Sequence, residues 1–225
     1  MPAASEELTR ARKDEIVNAC AQLYETMSFK DITLRDIGAR TSFTRTSIYN
    51  YFQTKEEIFL ALMQREYEAW VGDLEAILRT HEVLSAEGFA DQLARTLARR
   101  SRLLKLMAMN LYDMEANSRL ENLVDLKRAY GASLQAVRRC LEHYFPAMTQ
   151  ADVQAFLYAF FPFLFGVYPY SEATEKQKQA METVGIDYPN YSIYELVKPL
   201  AARLLASAGG KGGRPYEDRG PGGQP

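Results

Sequence analysis

The chain is poor in the residues from which most chemistry is built. Its 225 residues hold two histidines, His81 and His143, and neither sits in a HExxH-type pattern. No nucleophile–base pair, phosphate-binding loop or metal cluster occurs at a recognisable spacing, so no catalytic residue, no metal and no cofactor are expected. The two cysteines, Cys20 and Cys140, lie far apart and fit no metal or redox spacing, which points to reduced thiols in the cytoplasm. Residues 1 to 20 lack the basic start and apolar run of a signal peptide. The one long apolar stretch, VQAFLYAFFPFLFGVYP at 153–169, falls short of the roughly 20 residues a membrane span needs, and Pro162 and Gly166 interrupt it. A buried helix is expected there, with no membrane partner. No run of four to eight residues alternates as a half-buried strand would.

What is present is helical. With 47% hydrophobic residues, 25% charged and a net charge of −2, the chain can bury one or two cores and remain soluble. Thr54 with Glu57, Ser118 with Glu121, Thr174 with Gln177 and Ser192 with Glu195 have the spacing of capping boxes, in which hydroxyl and acid each satisfy a free backbone N–H. Thr33 with Asp36 and Thr149 with Asp152 are weaker relatives. Ile16, Cys20, Leu23 and Met27 recur at helical spacing. The fold class is therefore all-α, with helices over 6–27, 33–40, 44–51, 54–79, 87–99, 101–114, 118–144, 149–168, 174–184 and 192–207. Three short helices make a head, residues 1–53, and longer ones a body, residues 54–208. The tail 209–225 holds seven glycines and three prolines and is expected to be disordered.

The third short helix divides its residues sharply. With Thr44 as N-cap, Ile48 and Phe52 face inward toward Leu34 and Ile37, and Arg45, Thr46, Tyr49 and Asn50 face outward. Arginine can fork onto guanine, asparagine onto adenine, and threonine offers a hydroxyl and a methyl. A tyrosine hydroxyl suits a phosphate. Two short helices with such a second face describe a helix-turn-helix. A solvated polar face is the alternative that periodicity alone leaves open.

The stretch ITLRDIGARTSFTRTSIYNYFQTKEEIFLALM, 32–63, resembles the DNA-binding head of the TetR (tetracycline-repressor-like) family of bacterial transcriptional regulators. The resemblance rests on Ile32, Thr33 and Ile37, on Ile48, Tyr49 and Phe52, and on Lys55, Glu56, Glu57 and Ile58 at the family's spacings. It departs where the family favours glycine, at Ser28 after the first helix, at Ser42 in the turn and near Thr46. Tyr51 stands where a histidine is common. A residue other than glycine costs energy wherever φ is positive, so the turn at Thr41-Ser42-Phe43 is the most constrained point.

The resemblance implies that Thr33 and Thr44 hold phosphates at helix starts. It also implies that Arg45, Thr46 and Asn50 meet base edges, that Tyr49 and Tyr51 brace the backbone, and that Lys55 closes on a phosphate. It further implies a homodimer on a palindromic double-stranded DNA operator, repression as the common mode, and a body cavity for a small-molecule effector. Residues 1 to 56 carry eight Lys/Arg and eight Asp/Glu, so the head is neutral and must act through placed contacts. In the body, the helices 149–168 and 192–207 are the expected dimer interface. The first of these carries most of eight aromatics clustered over 156–170. Tyr67, Trp70, Met107, Tyr112 and Phe161, with Met109 and Met114, are the candidate lining of a cavity for an apolar or aromatic ligand, or else plain core. A kink at Pro162 would open space there. The segment 168–185 either covers the cavity or extends the interface. A helical binding or scaffold protein without DNA binding is the alternative function, and an enzyme is the least favoured.

Overall fold

The computed structural model describes residues 2–109 and 111–209. Among them it has eleven helices and no strand: α1 Pro2–Thr26, α2 Leu34–Gly38, α3 Arg45–Ile48, α4 Lys55–Thr80, α5 Ala86–Arg99, α6 Ser101–Met107, α7 Leu111–Ala116, α8 Leu120–Tyr144, α9 Gln150–Ser171, α10 Glu175–Thr183 and α11 Ile193–Gly209. The segment expected as one helix over 101–114 is two, because the chain leaves α6 at Ala108, whose N–H turns back to Leu104 and Leu106. Residues 210–225, nearly all of the tail, lie outside the described residues.

Local chemistry sets most helix starts. Thr33, Thr149, Thr174 and Ser192 each exchange hydroxyl and acid or amide with the residue three on, as complete capping boxes. The expected boxes at Thr54 and Ser118 do not close. Thr54 accepts from the Glu57 N–H, but the Glu57 carboxylate turns instead to Gln53 and Arg119. Arg119 rather than Ser118 then heads α8, and the Ser118 hydroxyl is buried without a partner. A tertiary ion pair has overridden a local preference.

One apolar cluster runs from head to body. It takes in Ile16, Cys20 and Leu23 of α1, Ile32, Ile37, Ile48 and Phe52 from the rest of the head, and Ile58, Phe59 and Leu62 of α4. Below them α4 packs along α8, α5 along α11, and α9 against α11, α6 and α8. Trp70 is fully buried, and its indole N–H donates to Thr96 Oγ1 at 3.0 Å. Tyr144 ties off α4 by donating to the carbonyls of Ile77 and His81. Burial pushes the Cys20 thiol up to about 12 and the Cys140 thiol up to about 11, so both stay protonated at neutral pH.

α9 is longer than the apolar run suggested. Its 22 residues continue through Pro162 and Pro169, and by length and composition alone it could cross a membrane. Within the fold, Val153, Phe156, Leu157, Phe160, Phe161, Leu164 and Val167 are buried, so one face is core. α10 buries none of its residues. It ends in a Schellman motif: Gly185 takes φ 71°, its N–H reaches the Glu182 carbonyl, and the Ile186 N–H reaches Met181.

Candidate nucleic-acid interface and body cavities

α2 packs on α1 and on α3. Ile48 and Phe52 are 0% and 3% exposed, whereas Thr46, Tyr49 and Asn50 are exposed, Tyr49 by 47%. The division into an inner pair and an outer set is therefore realised for Thr46, Tyr49 and Asn50. α3 proper spans only four residues, but the N–H groups of Asn50 and Tyr51 bond back to Ser47 and Ile48, so tighter turns carry the same face to Phe52. Arg45 opens α3, and its side chain lies outside the described residues. Thr44 is the N-cap of α3 yet caps no N–H with its side chain; its hydroxyl meets Ser47 at 3.1 Å.

Two other predicted contacts are engaged within the head. The Thr33 hydroxyl donates to Asp36 at 2.6 Å and accepts from the Asp36 N–H, so a carboxylate already occupies that helix start. The hydroxyl and the backbone N–H of Thr33, both donating to the Asp36 carboxylate, hold it below its ordinary range. Lys55 donates to the carbonyls of Phe29 and Ile32 at 2.8 and 3.1 Å and lies 4.2 Å from the Phe29 ring centroid. It closes the turn between α1 and α2, where Ser28 also donates to Asp31 at 2.5 Å. Tyr51 is half-buried against Phe43.

The turn without glycine is built by other means. Among the described residues no non-glycine has positive φ, so Thr41-Ser42-Phe43 carries no left-handed backbone. Glu15 of α1 reaches across to accept from both the N–H and the hydroxyl of Ser42, and Arg12 donates to the same hydroxyl at 2.8 Å. Arg12 also stacks 4.9 Å from the Phe43 centroid. The Ser42 bonds hold the Glu15 carboxyl below its usual range.

Sequence reasoning missed the joint between head and body. Glu57, 1% exposed, receives both arms of the Arg119 guanidinium at 2.7 and 2.8 Å and the Arg119 N–H at 3.1 Å. Arg119 also reaches the Tyr51 carbonyl, and Thr54 donates to the Asn117 carbonyl. Burial pushes the Glu57 carboxyl up, but the Arg119 and backbone bonds outweigh it and hold it low. No signal in the sequence pointed to this pair, which spans 62 positions.

In the body the structure brings together Tyr67, Trp70 and Phe161 with Tyr130, which periodicity did not single out. The Trp70–Phe161, Tyr67–Tyr130 and Tyr130–Phe161 centroids lie 5.8, 5.7 and 5.7 Å apart. The Tyr67 hydroxyl is buried with no partner. Burial pushes the Tyr67 phenol far up, with the Tyr130 phenol adding to the rise. A groove of about 390 Å³ opens between α8 and α9 beside Tyr130, Phe161 and Tyr158, with Gln135, Arg138 and Gln154 at its polar side. Met107 is core, packed with the rest of α6. Tyr112 is 83% exposed on α7, outside this cluster.

Comparisons with known proteins agree with this architecture. The model described as bacterial regulatory proteins, tetR family, matches residues 16–62. The model described as tetracyclin repressor-like, C-terminal domain, matches 64–206. No curated protein matches the chain. Among solved structures, the fatty acid degradation regulator FadR from Bacillus halodurans is 17% identical with a TM-score of 0.56, over 86% of this chain and 94% of that one. A TetR-family transcriptional regulator from Mesorhizobium loti is 16% identical with a TM-score of 0.56, over 88% and 97%. The RolR complex with resorcinol is 19% identical with a TM-score of 0.52, over 91% and 96%. At these identities the likeness is one of fold.

Proposed function

This chain belongs to the TetR family of bacterial regulatory proteins, and from that premise we propose that it is a homodimeric, cytoplasmic repressor that a small molecule releases from a palindromic operator. The observation that carries the reading is the outer face of α3. Thr46, Tyr49 and Asn50 stand exposed over the buried Ile48 and Phe52, with Arg45 at the first helical position. In this reading residues 1–53 bind DNA and 54–208 bind ligand and partner. Arg45, Thr46 and Asn50 read bases, and Thr44, Tyr49 and Tyr51 meet the backbone. Thr33 and Lys55 reach phosphates only by exchanging their present bonds to Asp36, Phe29 and Ile32.

Dimerisation through α9 and α11 is supported by apolar surface left on both. Tyr158 is 72% exposed beside Ala155, Ala159 and Pro162, and Leu196, Leu200 and Leu204 form a half-buried stripe along α11. The exposed Val184 and Ile186 next to α10, which buries nothing in its own chain, favour an extension of that interface. Two heads one DNA turn apart, about 34 Å, then match a two-fold operator. An apolar or aromatic effector at Tyr67, Trp70, Tyr130 and Phe161 is supported by the clustered rings and by the orphan Tyr67 hydroxyl, which a ligand polar group would satisfy.

The test is selection of binding sites from random DNA at about 100 mM salt with the purified dimer. Wild type should enrich an inverted repeat, and Arg45→Ala should abolish enrichment while leaving the melting temperature and dimer intact. Enrichment of no sequence above competitor sinks the DNA-binding reading.

A further inference from the structure

A second cavity, of about 260 Å³, lies where the last turn of α1 meets α4, the α5–α6 corner and α9, apart from the aromatic cluster. A site for one water needs about 10–15 Å³, so this space holds a ligand of many atoms. Its wall is mainly cationic, with Arg99, Arg100, Arg102 and Lys105 facing two carboxylates, Glu25 and Glu66.

The charges are not equally paired. Arg100 is committed to Asp73 through two bonds of 2.8 and 3.0 Å. Arg102 holds Glu66 at 2.9 Å and Glu25 at 3.6 Å, which uses both acids of the wall. Arg99 and Lys105 are left with no carboxylate within ion-pair distance among the described residues. Arg99 is exposed, but Lys105 is half-buried and spends its ammonium on a neutral group, the Tyr24 carbonyl at 2.6 Å, while lying 4.0 Å from the Tyr24 ring centroid. Burial pulls the Lys105 ammonium below its ordinary range. A half-buried cation held only by a carbonyl and a ring face has charge left for an anion to complete.

We propose that this cavity binds a small oxyanion, a carboxylate or phosphate group, between Lys105 and Arg99, with the neutral phenol of Tyr168 as a third wall. The Arg100–Asp73 and Arg102–Glu66 pairs keep the other two guanidinium groups in place, so the free positive charge is concentrated on the two unpaired residues. Lys105 also joins head to body through its bond to the Tyr24 carbonyl of α1, so the site sits on that joint. The site is distinct from the one assigned to the aromatic effector, and its occupancy is measured without DNA.

The experiment is calorimetric titration of the full-length protein with inorganic phosphate, and separately with succinate, in buffer matched for ionic strength with chloride. Saturable one-site binding of either probe is expected at millimolar or lower concentration, and whichever binds more tightly separates phosphate from carboxylate. Lys105→Gln keeps a donor for the Tyr24 carbonyl but removes the charge, and should weaken binding about tenfold. Arg99→Gln changes an exposed side chain, so its fold is secure even if Lys105→Gln destabilises the protein, and it should weaken binding by about threefold or more. No heat above the chloride blank from either probe, or equal affinity in wild type and Arg99→Gln, overturns the site.

Discussion

Head and body are held together by different physics. In the head, α2 and α3 are only five and four residues long, and polar bonds between specific partners fix the turns around them: Glu15 on Ser42, Lys55 on the carbonyls of Phe29 and Ile32, Asp36 on Thr33. In the body, long helices pair along wide apolar faces, and polar bonds are secondary. A surface that reads DNA by placement needs the first kind of construction, since a shift of one ångström there changes which atoms meet. A body that changes shape around a ligand is better served by the second, because apolar contacts are not directional.

The contrast is sharpest where a large body side chain is removed. Trp70→Ala should cost about 3–5 kcal/mol and lower the melting temperature accordingly, because it empties a fully buried site and removes the indole donor to the Thr96 hydroxyl. A loss under about 1 kcal/mol would mean that this part of the body is not close-packed. At the joint, Arg119→Ala leaves the buried Glu57 carboxylate without its counter-charge, held only by the Gln53 and residue-119 N–H groups, with an expected cost of about 2 kcal/mol in denaturant unfolding. The same pair fixes an acid limit. The folded Glu57 pKa lies below its ordinary 4.5, so the stabilisation is full above about that pH and fades as pH falls through the folded value. Wild type should therefore lose stability on that acid side, and Arg119→Ala should lack this particular loss. Gly185→Ala strains the only described residue with positive φ and should cost about 1 kcal/mol, without effect on the head. Smallest in stability and most telling for the contrast is Glu15→Gln. The melting temperature should move little, since Glu15 sits at the surface, yet operator binding should weaken as the turn loosens. If DNA binding is untouched, the Glu15–Ser42 bonds are not what holds the reading helix in place.

Much of this was legible in the sequence because it is local. Helical periods, the boxes at Thr174 and Ser192, and the split of α3 into Ile48 and Phe52 against Thr46, Tyr49 and Asn50 depend on residues a few positions apart. What was illegible depends on distant partners. Glu57 could not be assigned to Arg119 by any short-range rule, and the same pair explains why the Ser118 box failed. Missing glycines looked like a problem of backbone strain, but the Glu15 carboxylate closes the turn around ordinary φ values. Tyr130 entered the aromatic cluster through the crossing of α8 with α4 and α9, which no single helix period reveals.

α4 belongs to both halves. Its 26 residues leave the head at Lys55 and end beneath Tyr144 without interruption. At about 1.5 Å per residue it is a rod of about 39 Å. Pivoted at its lower end, such a rod turns a tilt of about 5° into a sweep of about 3 Å at its top, close to the rise of one nucleotide along DNA, about 3.4 Å. Mechanical advantage of that size is what the proposed release would need: a tilt of α4 by a few degrees would carry the head by about one base pair, the distance that separates the right register from the wrong one.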